Sequence, residues 1–85
     1  MTTTGRVKVL FFASLREDVG MGEIELEAAD FSGLMRALSS ALAPDAMHAL
    51  QQENVRIAVN QALVSGEFAL ADGDEVAFLP PVTGG

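Results

Sequence analysis

The segment Glu23-Ile24-Glu25-Leu26-Glu27-Ala28 alternates an acid with an apolar residue without a break. Successive side chains of a strand point to opposite faces, so this pattern fits a strand with one wet face and one dry one. Such a strand belongs to an antiparallel sheet covered on one side. Its outward glutamates also discourage edge-to-edge pairing. One long stretch repeats at helical spacing and can cover the dry face: Phe31, Leu34, Met35, Leu38, Ala41 and Leu42, behind Asp30 as N-cap. Gly33 weakens the first turn without preventing it. Pro44 stops this helix, and Pro44 to Leu50 reads as a second, short helix with proline near its start.

The remaining segments supply strands. Arg6 to Ser14 is rich in valine and phenylalanine, with Val7, Val9, Phe11 and Ala13 on one face and Lys8, Leu10, Phe12 and Ser14 on the other. The first face suits a core, and the second suits partial exposure. Leu15 to Gly22 ends in Gly-Met-Gly, a turn signal, so the first two strands are expected to form a hairpin. Val55, Ile57 and Val59 alternate with polar or small residues and predict a third strand. Asn60-Gln61 reads as a tight turn into the short strand Ala62-Leu63-Val64, after which Phe68 and Leu70 cover the core. Asp72-Gly73-Asp74 is a turn and Glu75 to Leu79 the last strand, ended by Pro80-Pro81 because proline has no ladder donor. The order strand, strand, helix, strand, short strand, strand predicts an α+β fold of the ubiquitin-like β-grasp type, a mixed sheet of about five strands with one main helix on one face. The expected division is a β-grasp domain over residues 1–81 and a flexible, extended C-terminal tail over residues 82–85.

Composition narrows the function. Eighty-five residues make one domain. Twelve acids against five bases give a net charge of −7, which repels nucleic-acid backbones and anionic lipid, so neither is an expected partner. The chain has no cysteine and one histidine, His48. This excludes disulfides, thiolate metal sites, iron–sulfur clusters and a cysteine nucleophile, and no metal is expected. No apolar run approaches the ~18 residues of a membrane span. Val9 to Leu15 is too short for a signal peptide and runs straight into Arg16-Glu17-Asp18. The expected location is the cytoplasm.

The chemistry lies in the closing residues, Pro80-Pro81-Val82-Thr83-Gly84-Gly85. The prolines favour a stiff, extended departure. The six residues reach at most about 20 Å. Gly84 and Gly85 lack a Cβ, so they can thread a channel that other side chains would block, and the final carboxylate stays open on both faces. That carboxylate is ionised near neutral pH. As an anion it can attack the α-phosphate of ATP, and a sulfur nucleophile can convert the resulting acyl-adenylate to a thiocarboxylate.

Three blocks carry a family resemblance: Val9 to Glu17, Val59-Asn60-Gln61, and Asp72 to Gly85. They resemble the small subunit of molybdopterin synthase, the MoaD type, over nearly the whole element order, with the final block the most specific. The resemblance implies a sulfur carrier in molybdenum cofactor biosynthesis. A ubiquitin-activating-like adenylyltransferase would adenylate Gly85 with ATP, and sulfur transfer would give the Gly85 thiocarboxylate. The tail would then enter the large subunit of molybdopterin synthase and pass sulfur to cyclic pyranopterin monophosphate, two charged carriers being consumed per dithiolene. The family is typically a heterotetramer of two small and two large subunits. The carrier would be a non-catalytic subunit with no independent active site and no permanently bound cofactor, ATP being used by the activating enzyme.

The resemblance also assigns partner binding to Phe12, Leu63 and Leu79, to Arg16, and to the tail residues Pro80, Pro81, Val82 and Thr83. Phe12, Leu63 and Leu79 are large and apolar on the strand faces away from the helix, where a partner would cover them. Arg16 could reach an acid on that partner as a bidentate fork. His48 reads as a helix-surface residue, and Asp72, Asp74 and Glu75 read as turn chemistry rather than a calcium loop. Two other readings stay open: a sulfur carrier of another pathway, such as thiamine thiazole synthesis, and a ubiquitin-like tag or binding module. Lys8 is the only lysine, which argues against a chain-forming tag.

Overall fold

The computed structural model describes residues 5–80. Five strands and three helices follow in the order β1 (Gly5–Phe11), α1 (Ala13–Val19), β2 (Glu23–Ala28), α2 (Phe31–Ala41), α3 (Pro44–Leu50), β3 (Arg56–Val59), β4 (Ala62–Val64) and β5 (Glu75–Leu79). The strands form one mixed sheet in the order β2-β1-β5-β3-β4. β1 and β5 pair in parallel at its centre, and the other neighbours are antiparallel. This is the expected ubiquitin-like β-grasp. None of the described helices is long and apolar enough to cross a membrane.

The alternation of β2 is realised as read: Glu23, Glu25 and Glu27 are exposed, Ile24 and Leu26 half-buried, and Ala28 buried. Asp30 caps α2, its side chain accepting from the Gly33 N–H at 2.7 Å. Such a cap is worth about 1 kcal/mol. Pro44 sits in the first turn of α3, where its missing N–H costs nothing. Val7, Val9, Phe11, Val76 and Phe78 project from β1 and β5 into a core closed by Leu34 and Leu38 of α2, Met47 and Leu50 of α3, and Leu70. The Phe11 and Phe78 rings stack with centroids 5.9 Å apart.

Two expectations need correction. β1 ends at Phe11 rather than Ser14, and the segment after it is a helix, not a hairpin turn. β1 and β2 do pair antiparallel, but α1 joins them. The sheet is therefore covered by three helices, with α2 the longest. The cause is local. Ala13 takes a left-handed conformation (φ 50°), which costs a non-glycine residue about 1 kcal/mol and breaks the strand period. Ala13, expected on the core face, is exposed, and Leu15 enters the core in its place. Gly20 ends the helix at φ 86°, its N–H donating to the Arg16 carbonyl.

The start of β5 is pinned by side chains. Asn60 and Gln61 both have positive φ (51° and 72°), as a two-residue turn between twisted strands requires. The Asn60 amide donates to Asp74 Oδ1 at 3.0 Å, and Asn60 Oδ1 accepts from the Glu75 N–H at 3.0 Å. Asp74 Oδ2 accepts from the Ala71 N–H at 2.8 Å. The Ala71 N–H first, and then the Asn60 amide, hold the Asp74 carboxyl below the ordinary aspartate range. Asp72 Oδ1 accepts from the Arg6 N–H at 2.9 Å. These acids serve the turn, as the sequence suggested.

Candidate functional site

Because side chains alternate along each strand, the register defines what stands on the face without helices. Leu10 is opposite Glu23 of β2 and Ala77 of β5, Ala77 is opposite Ala58 of β3, and Ala58 is opposite Leu63 of β4. Leu10, Ala77, Ala58 and Leu63 thus form one apolar row across four strands. A polar row, Lys8, Glu75 and Asn60, lies towards the start of β5. Towards its end lies a third row. Phe12 and Leu79 follow the paired residues Phe11 and Phe78, and Leu79 is opposite Arg56.

The predicted patch residues therefore share one face. Phe12 is 43% and Leu63 68% exposed, the two large apolar side chains standing out among the described residues, while Leu79 is only partly exposed. Phe12 has left the strand to become the N-cap residue of α1, yet its N–H still donates to the Phe78 carbonyl at 3.2 Å. The left-handed Ala13 that follows leaves Phe12 on the open face while Leu15 turns inward. An apolar area of this kind, flanked by charge, has the make-up of a recognition surface.

Arg16 lies on α1 rather than on a loop. Its side chain rests against the backbone of Gly22, where an added Cβ would sit 3.2 Å from the Arg16 Nε. A surface groove runs beside it, lined by Leu10, Phe12, Arg16, Gly22 and Glu23. Along β1 and β2, Arg6 pairs with Glu25 at 3.3 Å and Lys8 with Glu23 at 3.8 Å. Both pairs are exposed and contribute at most about 1 kcal/mol each. Their effect is to leave the sheet edge at β2 acidic, with its cations already matched.

Pro80 is half-buried directly after β5. The other predicted tail residues, Pro81, Val82, Thr83, Gly84 and Gly85, lie outside the described residues, as does the boundary drawn between residues 81 and 82. Sequence reading missed the small centre of the face, Ala58 and Ala77, and it missed Arg56. Each could be assigned an outward direction from its strand's alternation. Their neighbours could not, because these are contributed by strands far apart in the chain.

The ThiS family model matches residues 9–85. The molybdopterin synthase sulfur carrier subunit of Escherichia coli (strain K12) is 50% identical over 82 residues, covering 93% of this chain and 99% of that protein. Among solved structures, small archaeal modifier protein 1 from Methanosarcina acetivorans matches with a TM-score of 0.81 at 26% identity, over 98% of this chain and 99% of that one. A chain in the complex of subunits 1 and 2 of molybdopterin-converting factor from Helicobacter pylori 26695 matches with a TM-score of 0.71 at 27% identity, over 94% of this chain and 99% of that one.

Proposed function

The chain belongs to the ThiS family, and from that premise we propose that it is the sulfur carrier subunit of a molybdopterin synthase. Its working group is the carboxylate of Gly85. A carboxylate oxygen attacks the α-phosphorus of ATP, pyrophosphate leaves, and an acyl-adenylate forms. A sulfur nucleophile at the sulfide level then attacks the carbonyl carbon and AMP departs, leaving a thiocarboxylate. The adenylation is carried out by a separate, ubiquitin-activating-like enzyme. The charged tail enters the large subunit and gives its sulfur to cyclic pyranopterin monophosphate, and two carriers serve each dithiolene. The assembly is a heterotetramer of two small and two large subunits, working in the cytoplasm. The carrier needs no resident cofactor.

The observation that carries this reading is geometric. β5 is pinned at its start by Asp74 and Asn60, and it ends at Leu79 beside Phe12 on the apolar face. Gly85 is only six residues further along the chain. A protein docked on that face is within reach of the tail. The relatives support a large subunit as the docked protein, since one of them is named for a sulfur carrier subunit and another lies in a two-subunit complex.

The likeness to an archaeal modifier protein favours a second reading, in which the activated Gly85 forms an amide with a lysine of a target. Intact-mass spectrometry separates the two. After incubation with ATP, a sulfur donor and the activating enzyme, the carrier reading expects a mass gain of one sulfur replacing one oxygen. Amide-linked adducts without that species would favour the modifier. Deleting Gly85 is expected to abolish sulfur transfer completely while leaving the melting temperature unchanged, because the core is built from residues between Val7 and Phe78.

A further inference from the structure

All twelve side-chain carboxylates of the chain lie among the described residues. Two of its five bases, Arg6 and Lys8, are matched along β1 and β2. Arg16, Arg36 and Arg56 make no ion pair with a described residue. Arg36 rides on α2, on the covered side of the sheet. Arg16 and Arg56 are placed differently. Arg56 is exposed and stands opposite Leu79. Arg16 is exposed beyond Phe12, against Gly22. The order across the sheet is therefore Arg16, Phe12, Leu79, Arg56, and the chain leaves for Pro80 in the middle of that line.

This placement runs against the charge of the molecule. A body with net charge −7 attracts a partner surface that is positive overall. Two cations on the docking face would be repelled by such a surface, and burying them unmatched would also forfeit their hydration. Both penalties disappear where the partner sets carboxylates opposite them. A docking turned about the face normal would instead bring these arginines onto basic ground and the β2 glutamates onto acidic ground. Charges of both signs at fixed places on one face discriminate between orientations more than they add affinity.

We propose that Arg56 is a specificity-determining contact for the large subunit: with Arg16 it brackets the root of the tail and takes a carboxylate at the rim of the opening that Gly85 enters, fixing the direction of threading. The inference rests on the carrier reading. It is tested by calorimetry of the full chain with the large subunit at low and high salt. At low salt R56E is expected to bind about tenfold more weakly or worse, with R56Q between it and the unaltered chain. The gap should shrink as salt approaches ~1 M, where screening acts within about 3 Å. Thermal melts of both variants should match the unaltered chain, since Arg56 is exposed and holds no carboxylate within the described residues. Equal affinity of R56E and the unaltered chain at low salt would overturn the proposal. So would equal, salt-independent losses in R56Q and R56E, which would mean packing rather than charge. Failure of the unaltered chain to bind the large subunit would overturn the carrier reading itself, and this inference with it.

Discussion

Val76 and Phe78 have no solvent exposure, whereas Ala77 and Leu79, alternating with them in β5, are partly exposed on the opposite face. The backbone is shared and the ladder hydrogen bonds are the same. What differs is the cover. One face meets α2, α3 and Leu70 and is filled with bulky, interlocking side chains. The other has alanines at its centre, Ala58 and Ala77, with Leu10 and Leu63 at either end of their row. Ala58 is nearly covered by its neighbours, so Leu10, Ala77 and above all Leu63 are the parts of that row left open to another protein. Under the proposed function, stability and recognition fall to alternate residues of the same strands, which makes them separable by substitution.

The largest expected effect on the covered face comes from F78A. It removes a fully buried ring stacked on Phe11 and should cost about 3–5 kcal/mol in chemical denaturation. A loss below 1 kcal/mol would mean that the two faces are less different than their burial implies. On the open face, L63D should change stability by no more than about 0.5 kcal/mol, yet weaken binding to the large subunit by about tenfold or more. Unchanged binding would remove β4 from the recognition surface.

The smallest expected effect belongs to the pinned end of β5. The Asp74 carboxyl is held below its ordinary range in the folded chain by the Ala71 N–H and the Asn60 amide. Its ionised form is thus favoured by folding. The stabilisation is complete above the ordinary aspartate value, near pH ~4, and fades as pH falls through the lower folded value. D74N should lose this dependence, so its stability should fall less than that of the unaltered chain on acidification. Parallel pH profiles for the two would exclude the contribution. Because Asp74 is near the surface, the difference will be small beside that of F78A.

Much of this arrangement was legible in the chain. The acid–apolar alternation of Glu23–Ala28, the cap at Asp30, the proline opening α3 and the Asn60-Gln61 turn all depend on neighbours within a few residues. Periodicity also picked out Phe12 and Leu63 as outward-facing. The helix α1 was hidden because it is seven residues long and sends chiefly Leu15 into the core. A run of valine and phenylalanine, which favours strand, leads into it. Nothing in the local pattern announces that Ala13 will accept a left-handed conformation. Arg56 was overlooked for another reason: an outward arginine gains meaning from what stands beside it.

Short-range chemistry, written in the order of the residues, therefore determined all five strands in outline, the helices α2 and α3, and which side of each is dry, but not α1. Folding in three dimensions settled the company each residue keeps. β5 comes last in the chain yet inserts between β1 and β3, so Leu79 stands beside Phe12 and opposite Arg56 across separations that no local periodicity can encode. Alternation tells a residue which way to face, whereas strand order and register tell it whom it faces.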